Sequence, residues 1–191
     1  KEAEDFVRLS RVQKKILEYF LKHNASPAFE PIVAFGENTA EPHHVAGNRR
    51  LKKDDTVTID AGCRRDGYAS DLTKTFFLGR IYNYRRDIFG IVQRAKSEAV
   101  AKIRPGVFAS EVDRAARNVA RLAGMSEKFI HNTGHGVGVD VHERPTLSDS
   151  SKEKLSAGMV VTVEPGIYID GNFGVRLEDV FLVTKSGCEL L

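Results

Sequence analysis

The stretch "DTVTIDAGCRRDGYASDLTKTFFLG", Asp55 to Gly79, sets two runs rich in Thr, Val, Ile, Phe and Tyr on either side of "CRRD". It reads as a β-hairpin in which CRRD and Gly67 supply the turn. A turn centred near Arg65 and Asp66 places Asp60 directly opposite Asp71; a centre one residue away leaves them diagonal on the same face. One Asp on a strand is ordinarily a solvent-facing residue. Two carboxylates on one face repel each other and need a cation.

The same oddity recurs near the end of the chain. "MVVTVEPGIYI" (Met159 to Ile169) and "GVRLEDVFLVT" (Gly174 to Thr184), joined across "DGNFG", read as a second hairpin carrying Glu164 and Glu178. Four acidic side chains in four strand-like runs fit either a metal cluster or a set of salt bridges to neighbouring Lys and Arg. Between the hairpins lies "HNTGHGVGVDVHERP", His131 to Pro145, with three histidines. A zinc pair on one helix face, His131 with His135, is disfavoured because glycines at 134, 136 and 138 each cost about 1 kcal/mol in a helix interior. Adding one imidazole to four carboxylates makes a mainly oxygen donor set, suited to Mn, Co, Fe or Zn rather than to a thiolate zinc site. Four negative charges match two divalent cations.

Around these stretches the chain reads as α+β. Apolar residues at Phe6, Leu9, Val12, Ile16, Leu17, Phe20 and Leu21 mark an amphipathic helix ending near His23 and Asn24. A second helix runs through Ile88, Ile91, Val92, Ala95 and Val100 to Ile103 and stops at Arg104-Pro105-Gly106. A third is read from a cap at Ser110, with Asp113 three residues later, to Gly124. The two acidic hairpins hint at a duplication, without any short repeat.

The 191 residues suffice for one domain with a substantial core, and 41% hydrophobic with 29% charged residues is the balance of an ordinary globular protein. The net charge of +3 is scattered, which gives no nucleic-acid footprint; Arg49-Arg50 and Lys52-Lys53 read as solvated loop charges. No apolar run approaches a membrane span. Two distant cysteines, Cys63 and Cys188, and the lack of a signal peptide lead to the expectation of a cytoplasmic protein. The start at Lys1 without Met suggests a piece of a longer chain.

Taken together, "PHH" at 42 to 44, "IDAG" at 59 to 62, "SDLTKTF" at 70 to 76, "HNTGHGVGVDVHERP", "VEPGIY" at 163 to 168 and "GVRLEDV" at 174 to 180 resemble the pita-bread metallopeptidases, most closely the Xaa-Pro peptidase branch of prolidase and aminopeptidase P. The ordered motifs cover about residues 26 to 191. The resemblance implies a curved antiparallel sheet flanked by helices, and a catalytic domain over 1–191 that lacks its N-terminal portion and an upstream domain.

It further implies two divalent ions, Mn first, with Asp60, Asp71, His135, Glu164 and Glu178 as ligands. Asp71 and Glu178 would bridge both ions, Asp60 would complete one site, and His135 with Glu164 the other. His43 matches a substrate-side histidine, His142 one beside the scissile bond, and His131 one lining the site; His44 matches no catalytic position. Arg176 matches an arginine characteristic of the Xaa-Pro branch. The glycines flanking His135 would let the backbone approach metals and substrate.

The implied reaction is hydrolysis of an N-terminal Xaa-Pro bond by a metal-bridging hydroxide, on peptides with proline second. His142 would stabilise charge on the carbonyl oxygen, His43 would orient the substrate backbone, and Glu164 would relay a proton to the leaving nitrogen. The full-length protein is expected to be a homodimer. The nearest alternative is methionine aminopeptidase, which ordinarily carries Gln where Arg176 stands. A binding module of the same fold without catalysis, and a purely structural use of the acidic residues, are the readings from other classes.

Overall fold

A computed structural model describes residues 9–191; Phe6 of the expected first helix lies outside them. Helix α1 spans Leu9–Lys22 and lays Val12 and Ile16 against Val33, Phe35 and Val57. Its expected apolar stripe is incomplete, since Leu21 points to solvent. Helix α2 spans Asn83–Val100 and helix α3 Ala109–Leu122. Both lie against a five-stranded sheet. From edge to edge its strands are Cys188–Leu190, Asp179–Val183, Val160–Val163, Gly134–Gly136 and Glu143–Leu147, with antiparallel neighbours.

Strand alternation separates core from site. Val161 and Val163 join Ala95, Ala99, Val112 and Ala116 in the core under the helices, whereas Thr162 and Glu164 face the other way, toward His135. α3 does not begin as expected. Its cap is Phe108, whose N–H is accepted by Glu111 Oε1 at 3.1 Å, while Ser110 is inside the helix and Asp113 turns into the protein. Gly124, at φ 70°, ends it in the left-handed conformation that glycine adopts without strain.

The first hairpin is present, one residue off the centred register. Thr56–Asp60 pairs with Thr73–Phe77, and Cys63–Arg65 continues against Tyr68–Ala69. Asp66 and Gly67, both at positive φ, form the two-residue turn that matches strand twist. Asp60 therefore stands opposite Thr73, and Asp71 falls diagonally, in the gap between the two paired sections.

The second hairpin is divided in the same manner. Val160–Val163 pairs with Asp179–Val183 inside the large sheet, and Gly166–Ile169 pairs with Phe173–Arg176 as a separate ribbon. Phe173, read above as loop, is a paired residue, and the strand begins there rather than at Gly174. Both sections keep one register, and in it Glu164 stands opposite Glu178 at the break. Pro165, which has no N–H to give, sits in that break and accepts only Leu177 N–H. Each hairpin thus opens where its carboxylates sit. Arg49 departs from the solvated reading: its guanidinium forks between Glu37 and Asp55, at 2.9 and 2.7 Å.

Candidate metal centre

The two hairpins and the glycine-rich strand meet at one buried point. His135 Nε2 lies 3.2 Å from Glu164 Oε1 and 3.6 Å from Asp71 Oδ2. Its Nδ1 sits 3.0 Å from the Gly136 carbonyl and donates to it, leaving Nε2 as the ring nitrogen that faces the carboxylates. Glu178, 1% exposed, accepts the Thr73 hydroxyl on Oε2 at 2.8 Å. Asp60 accepts Arg176 Nη2 on Oδ2 at 2.6 Å.

Three overlapping groups offer ligand atoms within 4.8 Å of one another: Asp60 with Asp71 and Glu178, His135 with Glu164 and Glu178, and Asp71 with His135 and His142. Asp71, His135 and Glu178 each belong to two groups. Asp60 Oδ1 and Glu178 Oε1 are buried without a hydrogen-bond partner. Orphaned carboxylate oxygens are costly in a low-dielectric site unless a cation answers them, so these residues fit divalent metal.

The titration behaviour agrees. Burial, followed by the charges of Asp60 and Glu164, pushes Asp71 up to about 7. Burial likewise raises Glu178 well above the carboxylate range, helped by Glu164, Asp71 and Asp60, and raises Asp60 despite Arg176. Burial would also raise Glu164, but the hydrogen bond from His135 and the neighbouring histidine charges outweigh it and hold it low. Burial opposes charge on His135, yet Glu164 raises it. Without a cation the cluster cannot ionise fully.

Arg176, 4% exposed at the end of its strand, is held by protein on every side. Besides Asp60, it donates to Tyr168 OH at 2.8 Å, to the Pro42 carbonyl at 3.1 Å and to Thr73 Oγ1 at 3.1 Å. It braces Asp60 and anchors the loop that carries His43. Tyr168, its hydroxyl pushed up to about 12 by burial, keeps its proton and lies 2.8 Å from His131 Nε2. His131 Nδ1 is 2.7 Å from the Asn132 carbonyl, so both ring nitrogens are engaged.

His142 is exposed, tilted against the His135 ring with centroids 4.3 Å apart. His43 is exposed on its loop. His44 is tied to Glu41 and Asn38 at 2.7 and 3.0 Å. A cavity of about 750 Å³ gathers His43, His131, His142 and Arg176 around the acidic cluster, within the range of small-molecule sites.

The flanking glycines have a different reason from the one expected. A Cβ at Gly134 would lie 2.1 Å from the Thr162 carbonyl oxygen, and one at Gly136 would lie 2.4 Å from that of Arg144. They make room for the neighbouring strands. Gly134→Ala is therefore expected to destabilise the protein by about 1–3 kcal/mol, the usual range for overpacking. Gly187→Ala, which meets nothing within 4 Å, serves as the control and should stay within about 0.5 kcal/mol. Urea denaturation of both decides it, and equal midpoints would remove the steric account.

Sequence reading missed Thr73, Tyr168, Asp113 and Arg117. Thr73 and Tyr168 act through partners remote in strand order, and the i,i+4 spacing of Asp113 and Arg117 announces their ion pair but not its reach to Phe129, His131 and Thr133.

An α+β chain whose two broken hairpins bring carboxylates and a histidine to one buried cluster defines a candidate metalloprotein of the hydrolytic kind. The model of metallopeptidase family M24 matches residues 1–185, and the chain belongs to that family. It is 42% identical over 177 residues to an Xaa-Pro dipeptidase of Pyrococcus furiosus, covering 92% of this chain and 51% of that protein. Prolidase from Pyrococcus furiosus superposes with a TM-score of 0.94 at 40% identity, over 99% of this chain and 56% of the other. X-Pro aminopeptidase from Thermotoga maritima gives 0.94 at 32% identity, over 99% and 54%. The shared architecture is the pita-bread fold. The chain spans about half the length of the curated relatives it matches.

Proposed function

We propose that this chain is the catalytic part of an exopeptidase that removes the first residue from peptides with proline second. The carrying observation is the set of three overlapping ligand groups around two unpartnered buried carboxylate oxygens. That it stands in a chain similar to Xaa-Pro dipeptidases supports the substrate class. Asp60, Asp71, His135, Glu164 and Glu178 would hold two divalent ions, Mn first and Co, Zn or Fe as alternatives. Bound there, the ions supply Lewis-acid polarisation of the scissile carbonyl and a water of lowered pKa.

The chain's own residues supply the rest. His142, exposed in the cavity, donates to the carbonyl oxygen as charge develops on it. His43, on the loop that Arg176 anchors, orients the substrate backbone. Glu164 carries the proton to the proline nitrogen, which has no N–H of its own and leaves as a secondary amine. Arg176 favours the ionised form of Asp60 and aims it, and His131 holds the Tyr168 hydroxyl that contacts Arg176. The substrate's free amino terminus binds near Asp60, which confines cleavage to the first bond.

Among the described residues no helix is long and apolar enough to cross a membrane. A cytoplasmic location and a homodimer of the full-length protein complete the reading. Arg176 favours it over methionine aminopeptidase, which ordinarily carries Gln there, because an amide with two N–H donors cannot make the four donations of Arg176 to Thr73, Pro42, Tyr168 and Asp60.

The test is hydrolysis of Gly-Pro, an Xaa-Pro-Xaa tripeptide and a Met-Ala peptide by the full-length protein, with and without Mn(II) or Co(II). Metal-dependent cleavage of the proline peptides is expected. Cleavage of the Met peptide alone would move the assignment to the methionine branch. Metal uptake with no hydrolysis would make the protein a binding module.

A further inference from the structure

An ion pair between a buried Asp and a half-buried Arg on α3 holds the backbone that carries His131 and His135. Asp113 is 0% exposed, and its Oδ2 accepts Arg117 Nε at 2.7 Å. Arg117 also donates from Nη1 to the Phe129 carbonyl at 3.1 Å and from Nη2 to the His131 carbonyl at 2.7 Å. Asp113 Oδ1 accepts both the Thr133 N–H, at 3.1 Å, and the Thr133 hydroxyl, at 2.7 Å. The pair therefore grips alternate residues 129, 131 and 133, just before the strand that presents His135.

The grip extends to a second strand. The Thr133 carbonyl accepts the Glu164 N–H at 2.7 Å, so one further hydrogen bond links α3 to the backbone of Glu164. His135 and Glu164 are the residues whose Nε2 and Oε1 meet at 3.2 Å. Packing alone does not call for charge at this place, since Val112, Ala116 and Ala120 already seat α3 on the core. Burying an Asp with an Arg is costly, and its return is directional: charge-assisted bonds at a fixed fork set position in a way that apolar contact does not.

We propose that Asp113 and Arg117 are positioning residues of the metal centre, fixing the separation of His135 and Glu164 from behind. This rests on the reading of those two residues as ligands. Mn(II) binding by calorimetry and electron paramagnetic resonance, with kcat and KM on Gly-Pro, tests it in the full-length protein and in Arg117→Met, Thr133→Val and Asp113→Asn.

Arg117→Met and Asp113→Asn should weaken Mn(II) binding about 10- to 100-fold, the range for residues that orient ligands. They should alter the Mn(II) spectrum and lower kcat with KM little moved. Arg117→Lys, which keeps the charge and loses the fork, should not restore them. Thr133→Val should fall between native and Asp113→Asn. Should Asp113→Asn fail to fold, Arg117→Met and Thr133→Val carry the test, because Arg117 is partly exposed and Val is isosteric with Thr. A native protein that takes up no Mn(II) overturns the metal reading and this role with it. A native protein that binds Mn(II) while Arg117→Met and Thr133→Val bind it as tightly overturns the positioning role alone.

Discussion

Glu178→Gln is expected to remove peptide hydrolysis while leaving the metal-free protein as stable as before. The substitution keeps the shape and leaves an oxygen to accept the Thr73 hydroxyl. It takes away the charge of a residue that belongs to two of the three ligand groups. The loss in kcat should exceed the 10- to 100-fold typical of residues behind a ligand, hence more than about 100-fold. Stability should not follow activity. Burial and the neighbouring carboxylates raise Glu178 well above its ordinary range, so the native metal-free protein already disfavours a charge there and loses little when it is removed.

The unfolding midpoint without metal should therefore shift by no more than about 0.5 kcal/mol. The difference should appear with metal: a site filled at 100 times its dissociation constant adds about 2.7 kcal/mol to the native protein, and the variant should gain little. Thermal unfolding with EDTA and with Mn(II), beside kcat on Gly-Pro, reads both effects. A variant that keeps activity and the Mn(II)-induced shift would sink the dinuclear assignment.

How much of this was legible in the sequence depends on how local its cause is. Alternating Thr, Val and Ile around Asp66-Gly67 made the first hairpin visible, because strand composition and turn chemistry act within a few residues. The exact pairing was one residue away because the turn residues are Asp66 and Gly67, both at positive φ, rather than Arg65 and Asp66. Ser110 looked like a helix cap, yet the cap is supplied from inside the helix by Glu111. Asp113 is turned inward by Arg117 and Thr133, a partner twenty residues away that no local pattern announces.

The same holds within the site. Asp60, Asp71, Glu164 and Glu178 stood out as acidic residues in apolar runs, and the structure brings them together with His135. Thr73 read only as a strand former, though it links Glu178 to Arg176, each more than a hundred residues away. Gly134 and Gly136 were conspicuous, but their reason is the backbone of strands that the sequence does not order.

The metal-free protein should lose stability as pH rises from 5 to 7.5, the reverse of what carboxylates in salt bridges produce. Asp71 has its folded value raised from 3.8 to about 7. Between those values the folded chain holds a proton that the unfolded chain has released, so its contribution is complete below the unfolded value and is lost as pH climbs through the folded one. From pH 5 to 7 that is somewhat less than two units, because Asp71 is half deprotonated at the upper end, and so about 2 kcal/mol from this group. Glu178, Asp60 and His135 are also raised and act in the same direction, while His131 and His142, both lowered by burial, act in the opposite direction below their unfolded value of 6.5 and offset part of the loss. Glu164, held low, contributes stability above its unfolded value of 4.5 and loses it only on acidification. Glu37, held at about 2 by Arg49, likewise changes only below this window.

Metal should reverse the slope, because cation binding requires the deprotonated ligands and is favoured as pH rises. Urea denaturation at pH 5, 6, 7 and 7.5, with EDTA and with Mn(II), should then give two curves that lie close at pH 5 and diverge toward neutrality. A metal-free curve that rises across the upper part of the window, from pH 6.5 to 7.5, would show that the carboxylates are not crowded as the geometry requires. The acidic cluster then acts as a cost that the fold carries until a cation cancels it.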